Sequence, residues 1–176
     1  MDSYRTFIEQ KAKQKRSLLG NMFFPRTPVL LLHIGDDKVV LKGVKKAELI
    51  KECKGLIAGL ESIQLTTLVV CPDSFATKLP SGKYIKYLDS SKLEEVIGAA
   101  DFVIDFHKMP VDIRKNGCVP IAQKNGDSTV DYNPIQEVGD GFYFDQPLQW
   151  KMFDAVVRAR ETYKFPYDWE NLIRSL

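Results

Sequence analysis

The chain has 176 residues, enough for one well-filled domain and short for two. Hydrophobic residues make up 44% and charged residues 27%, the ordinary proportions of a water-soluble fold, and the net charge of +2 gives no electrostatic case for nucleic-acid or membrane binding. No stretch approaches the roughly 20 apolar residues of a membrane span, and the start "MDSYRTFIEQ" is acidic and polar where a secretory signal would be basic and then apolar. Three scattered cysteines without CxxC spacing and only two histidines, His33 and His107, argue against a structural metal and fit a reducing, cytoplasmic setting.

In chain order, "SYRTFIEQKAKQKRSLLG" predicts a helix with Ser3 as N-cap, a partial stripe of Phe7, Ile8, Leu18 and Leu19, and Gly20 as the stop. Residues 1–26 carry six basic side chains against Asp2 and Glu9, a run expected to form a solvated helix face. Residues 1–20 are read as a basic helix or linker ahead of a single domain over 21–176. "PVLLLHIG" is an almost wholly apolar run, the mark of a strand buried on both faces. "DDKVVLKG" follows as a hairpin return or a loop. "VKKAELIKECKGLIAGLESI" predicts a helix with one broad apolar face. "TTLVVCP" and "KYIKYL" read as the second and third strands. "SSKLEEVIGAA" is a short helix capped by Ser90 or Ser91, with Glu94 at capping-box spacing from Ser91. "DFVIDF", "CVPIAQ" and "GFYFD" supply three more strands. The chain closes with a helix to about Tyr163, a break at Pro166 and a second short helix. The aromatics Trp150, Phe153, Tyr163, Phe165, Tyr167 and Trp169 are assigned to packing around these helices.

Apolar strands alternating with helices predict an α/β domain: Rossmann-like, three-layered, with a mostly parallel sheet of about six strands. Ligands of such sheets sit beyond the carboxyl ends of the strands. The loops of interest therefore follow Ile34, Val70, Phe106, Ala122 and Phe144. Asp105 and His107 flank one such strand end and are the candidates for acid–base work. The structural alternative has Asp105 pairing with His107 or capping a helix. Asn125 and Gly126 form a turn signal beyond the fifth strand, where backbone amides can face a ligand; such signals also occur in ordinary loops.

A resemblance emerges from the C-terminal half. "GCVPIAQKNGDSTVDY", "GDGFYFD" and "AVVRARETYKFPYDWENLI" resemble, in order, the closing motifs of bacterial glycogen and starch synthases, on Gly117, Pro120, Ile121, Gly126, Thr129, Val130, Gly139, Gly141, Phe142, Phe144, Arg158, Tyr163 and Trp169. "KAKQKRSLLG", "LKG" and "AADFVI" resemble earlier motifs of the same family, with Gln14 in place of an asparagine. The resemblance implies half of a GT-B fold, the C-terminal domain that binds an ADP- or UDP-sugar, with Lys42, Gly43, Asn125, Gly126 and Thr129 as the nucleotide-sugar contacts and no metal. An acceptor-domain protein is the partner it implies. The departures concern chemistry. The family holds the leaving diphosphate with an arginine and a lysine near the first strand and with a glutamate-bearing loop after the alanine-aspartate strand. Here Lys42 matches the lysine, "LLHIGDDKVV" has no matching arginine, and no glutamate lies between Asp101 and Gly117. The expectation is a non-catalytic module with weak or vestigial nucleotide-sugar binding or a scaffolding role. The alternative is the donor-binding subunit of a split glycosyltransferase, a hexosyltransferase if active.

Overall fold

The computed structural model describes residues 3–35, 45–106, 109, 111–126 and 129–176. Six strands form one sheet: β1 (Val29–His33), β2 (Thr66–Val70), β3 (Ile85–Leu88), β4 (Phe102–Asp105), β5 (Val119–Gln123) and β6 (Phe142–Phe144). Their order is β3-β2-β1-β4-β5-β6 and every pairing is parallel. Five successive buried residues make β1 and five make β2, as strands covered on both faces require. The chain leaves β1 toward β2 on one side and returns to β4 on the other, so the topological switch point lies between β1 and β4.

Side-chain alternation divides the core in two. Leu30, Leu32, Ile104 and Ile121 face a layer built by α2 (Lys46–Ser62), α5 (Gln149–Tyr163) and α6 (Pro166–Ser175), with Phe75 of the four-residue α3 (Asp73–Ala76) at its margin. Leu31, Leu68, Val70 and Val103 face α1 (Ser3–Leu19) and α4 (Leu93–Ala99). The chain is therefore the three-layer Rossmann-like α/β domain that the pattern predicts. Phe102, Tyr163 and Trp169 lock α5 and α6 onto β4, with ring centroids 4.9 to 6.0 Å apart. Trp150, Phe165 and Tyr167, assigned to packing by the sequence, are instead exposed. The cap of the turn before α4 is neither Ser90 nor Ser91. Asp89 takes the role, its carboxylate accepting from the Ser91 amide at 2.8 Å. Ser3 is already helical rather than a cap, and Gly20, at φ +52°, ends α1 as expected. The segment "DDKVVLKG" lies outside the described residues.

Two details of α1 depart from a solvated basic face. Lys11 and Lys15 are buried. Lys15 Nζ reaches Asp101 Oδ2 at 2.6 Å, and the same oxygen accepts from the Val29 amide at 2.7 Å, tying α1 to the start of β1 and β4. Lys11 Nζ donates to the carbonyls of Asn116 and Gly117 at 2.9 and 3.0 Å. Phe7 lies so close to Gly117 that a Cβ there would sit 2.1 Å from its ring. Thus α1 covers the region where β4 crosses to β5. Among the described residues that crossing contains only a turn of 3-10 helix, Arg114–Asn116, with Met109, Val111 and Ile113 packed on the second core layer. No helix of the described residues is long and apolar enough to cross a membrane.

At the outer edge the chain bonds its own backbone to the residues that lead into β6. The Tyr132 amide donates to the Gly141 carbonyl at 3.0 Å and the Asp140 amide to the Val130 carbonyl at 3.3 Å.

Candidate functional site

Of the residues that the sequence singles out, Asp105 ends β4, and Asn125 and Gly126 follow β5. Register pairs His33 at the end of β1 with Asp105 at the end of β4, across the switch point. Their side chains touch, His33 Nδ1 to Asp105 Oδ1 at 2.8 Å, and Asp105 Oδ2 accepts from the Met109 amide at 2.9 Å. Asp105 thus joins β4 to β1 through His33 and holds the Met109 amide in the crossing toward β5. His33 was passed over in the sequence because it sits in an apolar run; its place at a strand end was the available signal. His107, Lys42 and Gly43 lie outside the described residues.

Beyond β5, Asn125, Gly126 and Thr129 form a turn that satisfies itself. Thr129 Oγ1 accepts from the Asn125 amide at 3.3 Å and donates to the Gly126 carbonyl at 3.2 Å. Gly126 has φ +64° and nothing within 4 Å of where a Cβ would stand, so this turn is open to solvent. Its glycine is required by backbone conformation rather than by a close neighbour.

Helix N-termini at this edge are the natural holders of phosphate, because their amides are unpaired and the helix dipole favours an anion. Two are already engaged by the protein's own carboxylates. At α2, which follows β1, Glu48 Oε2 accepts from the Lys45 amide at 3.2 Å. At α5, which follows β6, Glu52 of α2 accepts from the Gln149 amide at 2.7 Å. Each places negative charge where a diphosphate would need positive potential.

The motif residues farther along the chain serve architecture. Arg158 of α5 donates to Asp131 Oδ1 at 2.6 Å, to the Tyr143 carbonyl at 2.9 Å and to Asp154 at 3.1 Å. Asp131 Oδ1 also accepts from the Tyr143 amide at 2.8 Å. The Tyr143 hydroxyl donates to Asp140 at 2.7 Å, and Asp140 is paired with Arg114. Burial and this neighbouring carboxylate push the Tyr143 phenol well above its ordinary range. A cavity of about 240 Å³ beside this network is lined by Lys124, Lys151 and Arg158 with Asp131, Asp145 and Asp154. Three of these carboxylates answer Lys151 and Arg158 directly. Gly139 and Gly141 allow close passage: a Cβ would stand 2.4 Å from the Asp131 carbonyl oxygen and 2.7 Å from that of Pro120.

No family model matches the chain. Glycogen synthase 1 of Synechocystis is 30% identical over 107 residues, which cover 55% of this chain and 22% of the relative. The glycogen synthase of Trichodesmium erythraeum is 36% identical over 59 residues, 32% of this chain and 13% of the relative. The fold agrees. The catalytic domain of starch synthase IV from Arabidopsis thaliana, solved bound to ADP and acarbose, superposes over 93% of this chain with a TM-score of 0.62 and 19% identity. The chain is thus similar in sequence to part of two glycogen synthases and in fold to part of a starch synthase. It spans 38% of that starch synthase chain, so it matches well under half of each relative's length.

Proposed function

We propose that this domain is the nucleotide-sugar-binding half of a GT-B architecture whose transferase chemistry has been lost, leaving weak or vestigial binding of an ADP- or UDP-sugar and a binding or scaffolding role. The observation that carries this reading is the β4–β5 crossing. It holds no glutamate, and its first carboxylate, Asp105, is committed to His33 and the Met109 amide. Transfer from a sugar nucleotide needs preorganised positive charge or donors against the departing diphosphate. Loss of one such donor commonly costs about 10²–10³ in rate. Glu48 and Glu52 further place a carboxylate on one amide at each of two helix N-termini, where a phosphate would meet negative charge. The contacts that remain for a nucleotide sugar are Lys42, Gly43, Asn125, Gly126 and Thr129. The test is titration calorimetry with ADP, ADP-glucose and UDP-glucose, alongside a glucosyl-transfer assay. Millimolar or weaker binding and no transfer are expected, and turnover would overturn the reading.

A second reading is favoured by apolar side chains exposed in the connections that leave β5 and β6: Val130, Leu148 and Trp150. Here the domain supplies the donor half to an acceptor-binding domain on a separate chain, which covers these residues and completes the site. Co-purification from the native source should then recover such a chain, and mixing the two should restore transfer. A domain that stays monomeric and inert beside every candidate acceptor chain argues against it.

A further inference from the structure

The opposite end of the sheet holds a crevice of about 210 Å³ between α1, the segment 23–27 and the start of β4. Lys15, Asp101 and Tyr163 meet it from below, Phe23 and Phe24 form its apolar wall, and Arg26 stands at the rim. The polar groups beneath it do not balance. Lys11, Lys15 and Asp101 are all more than nine-tenths buried, two ammonium groups against one carboxylate. Asp101 answers Lys15. Lys11 meets no carboxylate among the described residues: its contacts are the carbonyls of Asn116 and Gly117, the sulfur of Cys118 at 3.7 Å and the face of the Phe7 ring. Desolvation pushes the Cys118 thiol up, and burial does the same to the Tyr163 phenol, so neither supplies the missing negative charge. Carbonyl oxygens satisfy the N–H groups of a buried ammonium without cancelling its charge, and uncompensated buried charge is costly. Arg26 adds a third cation, exposed and without an ion-pair partner among the described residues. It is held at φ 68°, a conformation that a residue with a side chain adopts at a cost.

We infer that this crevice binds a small oxyanion carried on an apolar body, a carboxylate or a phosphate monoester. The anionic group faces Lys15 and Arg26, and the body lies against Phe23 and Phe24. The bound anion supplies the negative charge that the buried cluster lacks. The site lies at the amino-terminal edge, away from the carboxyl-edge loops of the nucleotide reading, so the two stand or fall separately.

The experiment is an amide chemical-shift titration of the full chain with benzoate, phenyl phosphate and the neutral control benzyl alcohol. Saturating shifts at residues 23–27, Ala12 and Asp101 are expected from at least one of the two anions and not from the alcohol. The anion that saturates at the lower concentration identifies the headgroup. Arg26→Gly removes the rim cation and suits the left-handed backbone, so the variant should fold, bind the anion about five- to tenfold more weakly and leave any ADP titration unchanged. The inference is overturned if neither anion shifts these amides, if benzyl alcohol shifts them equally, or if Arg26→Gly binds as tightly as the parent.

Discussion

The two ends of the parallel sheet are built on opposite terms. At the amino-terminal end, charged side chains are buried and committed: Asp101 joins Lys15 to the Val29 amide, and Gly117 is pressed against Phe7. At the carboxyl-terminal end, where relatives of this architecture are expected to hold ligand, the turn 125–129 bonds to itself, and open space surrounds Gly126. The difference teaches that residues of a recognisable motif can be occupied in holding the fold together. Arg158, Gly139 and Gly141 stand in such positions, and between β4 and β5 the residues Arg114 and Gly117 do as well, through Asp140 and Phe7.

Substitutions can break this contrast. The largest effect is expected from Asp101→Ala, which strands the buried Lys15 and the Val29 amide. Stability in urea should fall by about 3–5 kcal/mol. Gly139→Val comes next. Its φ of +102° and the 2.4 Å approach to Asp131 make any side chain strained and crowded, and a loss of about 2–4 kcal/mol is expected. Arg158→Ala removes three hydrogen bonds at once, but its side chain is 36% exposed and water screens the pairs, so about 1–2 kcal/mol should be lost. At the other end Gly126→Ala meets only the backbone cost of the left-handed region, about 1 kcal/mol. A Gly126→Ala change as costly as Gly139→Val would show that the carboxyl-edge turn is load-carrying after all.

A chemical probe sharpens the same contrast without mutation. Burial raises the Cys53 thiol to about 12 and the Cys71 thiol to about 11, and it raises Cys118 as well. All three should therefore react slowly with a thiol reagent at neutral pH, since the thiolate is the reactive form. Cys71, just past the carboxyl end of β2 and 5% exposed, should be labelled first. Cys53 and Cys118, both fully buried, should wait for unfolding. Equal rates for Cys71 and Cys118 would mean that the two ends open together.

The central strands β1 and β2 were legible because both their faces are covered: an apolar run such as Val29–His33 has few other structural explanations. The helices followed from their apolar stripes. The site was less legible, since side-chain commitments are made across the fold. His33 lies 72 positions from Asp105, and only the β1–β4 register brings them together. Likewise "KAKQKR" as a string does not say that two of its lysines turn inward, because their acceptors, Asp101 and the 116–117 carbonyls, are supplied by the other half of the chain. Glu48 and Glu52 read as ordinary helix-surface acids until the N-termini they occupy are placed in space.

The strip of backbone at 130–133 that bonds to the residues leading into β6 has a consequence for behaviour in crowded solution. A parallel sheet ends in unpaired amides and carbonyls that invite another molecule's strand. Here one border is already occupied by the chain itself, through Tyr132 and Val130. On the opposite border Lys86 of β3 turns its ammonium to the Leu18 carbonyl, placing a charge within the terminal strand. Both borders are thus guarded against templated growth, and the domain should remain dispersed at concentrations where an unprotected sheet of this size would begin to form fibres.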